Sequence, residues 1–214
     1  QIVEMQAVWD ISQVMMKANA WPMDPSLGVE WLVPAPATQD GIITTPYNEK
    51  NANASLQLVL DMLASLQNYA EHGVEAMNLD HYWHPKCSWY GPAGIGSNRR
   101  ISGFRHWHQQ PFLNAMPDRT VEGKSIFLAD ENYVAVTGMP NMRATISGNG
   151  WMGIAPANQE ITMSSLDFWR CENGKIRENW VLVDLLDVYH QFGVDVFAPM
   201  RELTAARQTP KPQI

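Results

Sequence analysis

Residues 151–193 read WMGIAPANQEITMSSLDFWRCENGKIRENWVLVDLLDVYHQFG. Two runs within this stretch alternate towards a period of two, Ile161–Cys171 and Lys175–Val183, with Glu172-Asn173-Gly174 between them. An Asn-Gly pair supplies the positive φ angles that a tight hairpin needs, so the two runs are expected to fold back on each other. Asp184 then opens a helix of about 185–192, which Gly193 stops. Asp187 stands three residues on, as in a capping-box variant, and Asp184 is therefore read as a cap before any chemical role.

Upstream of this stretch, Val121–Leu128, Tyr133–Met139 and Met142–Ile146 also alternate, separated by Asp130-Glu131-Asn132 and closed by Ser147–Gly150. Still earlier the period is helical. Leu56, Val59, Leu60, Leu63 and Leu66 place an amphipathic helix over 54–70, with Asn53 or Ser55 as its cap and Gly73 as its end. A second helix, 74–82, stops before His84-Pro85, because the residue before a proline disfavours the helical region. Cys87–Tyr90 is a short strand. Ser102 caps a helix from 103, on which Phe104, His108 and Phe112 share a face and which Pro111 bends or ends. Helices first and strands after describe an α+β fold, a curved antiparallel sheet with helices on one face and a cavity between them. The tail from Thr204 to Ile214 is polar and is expected to be loose.

Composition narrows the function. Of 214 residues 45% are hydrophobic and 17% charged, enough for a core and too few charges for disorder. The net charge is -7, and Arg99-Arg100 with Arg105 is too little for a phosphate track, so no nucleic-acid partner is expected. No apolar run approaches the roughly 18–20 residues of a membrane span. The N-terminus carries no signal pattern, and two widely spaced thiols, Cys87 and Cys171, fit a reducing, cytoplasmic setting. Nine tryptophans are many for this length and fit an apolar pocket with flat walls, whose partner is a small molecule. No HExxH, CxxC or Gly-x-Ser-x-Gly occurs, and the histidines lack metal-ligand spacing, so no metal site is expected.

An internal repeat opens the chain. Gln1–Met23 and Lys175–Phe197 align without a gap: Ile2 meets Ile176, Glu4 meets Glu178, Asp10 meets Asp184 and Val14 meets Val188. Residues 1–23 are therefore expected to be the closing strand and helix of a preceding repeat, 24–50 a linker, 51–198 the domain proper and 199–214 a C-terminal tail. The other reading is an N-terminal arm that packs on the sheet.

The stretch 151–193 resembles the SnoaL-like polyketide cyclases of the nuclear-transport-factor-2-like, ketosteroid-isomerase-like superfamily. The resemblance rests on Met152-Gly153-Ile154-Ala155-Pro156, the Asn173-Gly174-Lys175-Ile176 hairpin, the Trp180 strand and the closing helix up to Gly193, and earlier on WYGPAGIG (89–96), GFRHWHQQPF (103–112) and Pro117-Asp118. It implies a cone-shaped, cystatin-like sheet wrapped on N-terminal helices and a water-excluding pocket. It also implies no metal or organic cofactor, and pairing as a homodimer or tandem pseudo-dimer. The cyclases remove an acidic C–H proton, stabilise the enolate and close a ring by an intramolecular aldol step. A related fold can also serve isomerases, hydrolases, dehydratases or plain binding modules.

Carried onto this sequence, the resemblance makes Asp167 the counterpart of a pocket-lining histidine in the cyclases and of the enolate-binding acid in the isomerases. The bland reading is an exposed or salt-bridged strand residue. The cyclase acid/base aspartate falls at Val181, which cannot move a proton. Asn179, Tyr90 and His108 are the candidates to assist Asp167, with His106 beside them. Trp89, His84, Trp169, Met163, Val181 and Trp107 are the candidate pocket wall.

Overall fold

The computed structural model describes residues 2–30, 32–42, 44–69 and 73–208, without the side chains of 203 and 206–208. The helices are α1 (Ile11–Lys17), α2 (Glu49–Ser65), α3 (Leu79–Tyr82), α4 (Arg100–Phe104), α5 (Gln110–Ala115), α6 (Leu185–Gln191) and α7 (Ala198–Gln208). The strands are β1 (Trp83–Tyr90), β2 (Ser97–Arg99), β3 (Thr120–Val121), β4 (Ile126–Asp130), β5 (Tyr133–Ile146), β6 (Gln159–Glu172) and β7 (Lys175–Val183). They form one sheet in the order β2-β1-β7-β6-β5-β3, with β4 also on β5. The expected α+β cone is present. One pair departs from the antiparallel expectation: β1 runs parallel to β7. The whole domain separates these strands, so no hairpin forces them to oppose, and a long crossover permits the parallel pair.

The Asn-Gly hairpin joins β6 to β7 as expected, with Glu172 opposite Lys175. Asp184 caps α6, its side chain accepting from Asp187 N at 3.1 Å. Helix α2 starts earlier than expected. Its cap is Asn48, accepting from Asn51 N at 3.2 Å, and not Asn53 or Ser55, because Ala52 and Ser55 are already on the buried face with Val59 and Met62. The 74–82 helix divides at Asn78, whose φ of 46° ends a 3-10 turn (Val74–Met77) before α3 begins. Ser102 caps nothing; it sits inside α4, whose first residue is Arg100. The expected bend near Pro111 is a π turn over Arg105–Gln109, one turn before the proline that has no N–H to donate. The runs 133–139 and 142–146 are one strand with a register shift between Gly138 and Met142, not two strands. The described part of the tail is helical to Gln208, in a run of good helix formers; residues 209–214 of that expectation lie outside the described residues.

Within 24–50, expected to be a linker, residues around 27–37 are laid along the domain as an arm. Val29 bridges Ser97, and Gly28 N donates to Ile95 O at 2.8 Å. The backbones meet so closely that a Cβ on Gly96 would lie 2.8 Å from Gly28. Further on, Trp180 Nε1 donates to Pro34 O at 2.9 Å and Ala37 N donates to both Glu178 carboxylate oxygens at 3.2 Å. The arm thus crosses the outer face of the sheet. The inner face, under α2, α4 and α5, holds the core.

Candidate active site

Strand period assigns the inner face. On β6 it receives Met163, Ser165, Asp167 and Trp169; the register puts Asn179, Val181 and Val183 of β7, Met142 of β5 and Trp89 of β1 on the same side. Phe104, His108 and Phe112 face them from the bent helix, as the i, i+4, i+8 spacing predicts, and Met62, Leu63 and Leu66 do so from α2 and its end. Between them lies a cavity of about 170 Å³. Four tryptophans wall it: Trp83, Trp89, Trp151 and Trp169. Its polar side chains besides the indole N–H groups are few: Asn141, Ser165, Asp167, Asn179 and His108.

Asp167 is held by a short relay. Asn141 Nδ2 donates to Ser165 Oγ at 2.7 Å, and Ser165 Oγ donates to Asp167 Oδ2 at 2.9 Å. Among the described residues no cation pairs with it. Arg170 points to the other face, where Glu178 and Glu172 receive it, and Lys175 donates to the carbonyls of Asp80 and His81. Burial raises the Asp167 carboxyl to about 7, the Ser165 hydrogen bond offsetting only part of it. Asp167 and His108 keep some accessible surface although protein encloses both; that surface is the cavity wall.

His108 stacks on Trp89 with ring centroids 4.0 Å apart and planes 16° apart. Its Nδ1 is buried and has no hydrogen-bond partner among the described residues. Burial lowers its pKa to about 3, so the imidazole is neutral at any physiological pH. It can donate or accept a hydrogen bond there, but it cannot carry the proton. The sign of the linkage follows: unfolded, the group protonates near 6.5; folded, near 3. Stability tied to neutral His108 is present above pH 6.5 and is lost as pH falls towards 3. His108→Phe keeps the stack, and its stability relative to wild type is expected to improve by about 3 kcal/mol between pH 8 and pH 4. Urea unfolding at the two pH values measures this; an unchanged difference would show that His108 is solvated.

The other candidates divide. Trp89, Trp169, Met163 and Val181 line the cavity. Asn179 lines it too, but its Nδ2 donates to Phe168 O at 3.0 Å and to Trp180 O at 3.4 Å. It therefore offers the cavity its amide oxygen, an acceptor, where a donor was expected. Tyr90 is on the opposite face, in register with Trp180 and stacked on it at 5.6 Å. The alternation of β1 that turns Trp89 inward turns Tyr90 outward. His84 is outside the cavity; its Nδ1 accepts from Lys86 N at 3.0 Å in its own turn. Trp107 and His106 are exposed on the outer side of the bent helix. Sequence reasoning missed Ser165 and Asn141. The i, i+2 spacing of Ser165 and Asp167 was a usable signal; Asn141 was not reachable, since it lies across the β5 irregularity.

These observations meet the profile of the SnoaL-like polyketide cyclases, which matches residues 60–192. The chain belongs to that family. The matched span begins within α2 and ends after α6, and so includes every residue of the SnoaL-like cavity. Solved structures agree on the fold. AclR from Streptomyces galilaeus, assigned as a hydroxylase, is 21% identical with a TM-score of 0.50, covering 73% of this chain and 96% of its own. A protein from Jannaschia sp. CCS1, assigned as a SnoaL-like polyketide cyclase, is 15% identical with a TM-score of 0.55, covering 69% and 97%. One from Shewanella denitrificans OS-217 with the same assignment is 13% identical, TM-score 0.53, covering 65% and 96%. No curated protein matches the chain. Among the described residues no helix is long and apolar enough to cross a membrane, and no cluster of His, Cys, Asp or Glu could hold a metal ion.

Proposed function

We propose that this SnoaL-like domain is a cofactor-independent cyclase or isomerase that acts on a planar, carbonyl-bearing, polyketide-like molecule. The observation that carries the reading is a single uncompensated carboxyl, Asp167, raised to about 7 inside a cavity walled by tryptophan. A carboxyl balanced near neutral pH is matched to both directions of proton transfer. Ionised Asp167 takes a proton from the carbon beside the carbonyl, leaving an enolate. The enolate carbon attacks a second carbonyl of the same molecule, and protonated Asp167 returns the proton to the new alkoxide. Neutral His108 can donate a hydrogen bond to the enolate oxygen, which costs it no charge. The indole walls hold the planar chain and exclude water.

The residue that counts against catalysis is Val181, at the place of the cyclases' aspartate. Asp167 and Val181 are directly opposed across β6 and β7. Opposed side chains on one face lie about 4.5–5.5 Å apart at Cβ. A carboxyl at Asp167 therefore reaches the same stretch of cavity as one at position 181 would. Had Asp167 paired with Arg170 or Lys175, a binding or assembly module without chemistry would be the better reading.

Nitrophenols, which mimic an enolate and report their ionisation by colour, test this. Below pH 7 protonated Asp167 is expected to bind the phenolate. Affinity should fall towards tenfold per pH unit above 7, and Asp167→Leu, which has no donor, should weaken it at least tenfold below pH 7, about 1.4 kcal/mol, and remove the pH dependence. Equal binding by both proteins would remove Asp167 as the catalytic group and favour the module.

A further inference from the structure

Residues 10–20 repeat the backbone of residues 184–194, at one constant offset. Asp10 (φ -78°, ψ 68°) and Asp184 (φ -74°, ψ 75°) each cap a seven-residue helix, α1 and α6. Each accepts from the amide three residues on, Gln13 N at 3.0 Å and Asp187 N at 3.1 Å. Both helices end alike. Ala18 (φ -86°, ψ 2°) matches Phe192 (φ -88°, ψ 4°), and Asn19 and Gly193 are both left-handed, at φ 54° and 71°. Asn19 N donates to Met16 O and Gly193 N to His190 O; Ala20 N donates to Met15 O and Val194 N to Tyr189 O. The capped helix and its left-handed stop are thus present twice, and the sequence match at Ile2, Glu4, Asp10 and Val14 runs on upstream of them.

The two copies differ in what surrounds them. Ile176, Leu185 and Val188 are 0, 2 and 0% exposed; their counterparts Ile2, Ile11 and Val14 are 87, 37 and 64% exposed. Ile2–Trp9, the counterpart of β7, lies in no strand. Its sequence has the pattern of a sheet strand, yet among the described residues no strand pairs with its backbone, and its side-chain hydrogen bond to the present sheet is Gln6 Oε1 accepting from Thr137 Oγ1 at 2.7 Å. A strand forms only against another strand.

We propose that residues 2–20 are the closing strand and helix of a second SnoaL-like domain, and that Ile2–Trp9 join its sheet as β7 joins the sheet of this one. The match to β7 fixes the register. Met5 stands for Asn179 and Ala7 for Val181, so both face the second domain's cavity, which has an apolar wall there. Glu4 stands for Glu178, so the strand beside it carries a basic residue in the place of Arg170. Asp10 Oδ2 accepts from Ala93 N at 3.0 Å, so α1 stays fixed to the present domain and ties the two domains together.

Amide hydrogen exchange tests the assignment on the natural full-length polypeptide and on the 214-residue chain. In the full-length protein the amides of 2–9 are expected to be protected like those of 176–183. In the 214-residue chain they are expected to exchange freely. Met5→Asp should lower the urea midpoint of the former and leave the latter unchanged. Three results would overturn the proposal: no second domain before Gln1, free exchange of 2–9 in the full-length protein, or protection in the 214-residue chain. Protection there that is lost on dilution would give the strand to a second copy of this chain.

Discussion

Asp167→Asn is expected to remove proton transfer and, at the same time, to stabilise the fold by up to about 4 kcal/mol at pH 8. The native carboxyl ionises near 7 because burial disfavours its charge; the ordinary value is 3.8. Between these values the native state binds more protons than the unfolded one. Stability therefore falls as pH rises from about 4 to 7, and the full cost persists above 7. Asparagine has the shape of the protonated carboxyl, keeps an acceptor for the Ser165 hydroxyl and never ionises. The gain should vanish near pH 4. His108 has the opposite slope between 3 and 6.5, so wild type should look nearly flat in the shared window and each single variant should expose the other residue's slope. Urea unfolding from pH 4 to pH 8 reads this. Parallel curves for wild type and Asp167→Asn would mean a solvated carboxyl and would end its candidacy.

Breaking the ion pair on the other face is expected to cost as much in the other direction. Arg170 and Glu178 are both buried, with Nε to Oε2 at 2.5 Å, and Glu178 also receives Ala37 N from the arm. Glu178→Ala removes the buried carboxylate closest to the guanidinium, leaving Glu172 and the more distant, exposed Asp40 to neutralise it, and removes the acceptor that holds the arm. A loss of about 3–5 kcal/mol is expected, with faster amide exchange at Ala37. Arg170→Met with Glu178→Leu should recover most of the loss, because an apolar pair of similar size needs no compensation. A cost for Glu178→Ala under about 1 kcal/mol would show that the pair is hydrated.

Local chemistry made much of this molecule legible. The Asn173-Gly174 turn, the Asp184 cap and the stop at Gly193 each depend on a few neighbouring residues, and each was readable from them. So was the face shared by Phe104, His108 and Phe112, because helical period fixes it even through the π turn. Period along β6 put Asp167 on the same side as Trp169 and Met163. Errors arose where the outcome depended on a distant partner. Tyr90 was assigned to the pocket from its position at a strand end, but only its pairing beside Trp180 shows that it faces outward. Strand period places Asn179 on the inner face, but only the carbonyls of Phe168 and Trp180, which take its amide hydrogens, make it an acceptor towards the cavity.

The sequence by itself determined the family, the α+β class and the face of β6 that carries Asp167, because these rest on short-range period, turn residues and contiguous motifs. Only the tertiary structure decided what Asp167 is. Whether a carboxyl titrates near 4 or near 7 depends on the residues that exclude water from it, and here they come from the bent helix, from α2 and from three strands. It also decided that the arm crosses the outer face, and that Ile2–Trp9, with the sequence pattern of a strand, pair with no strand among the described residues.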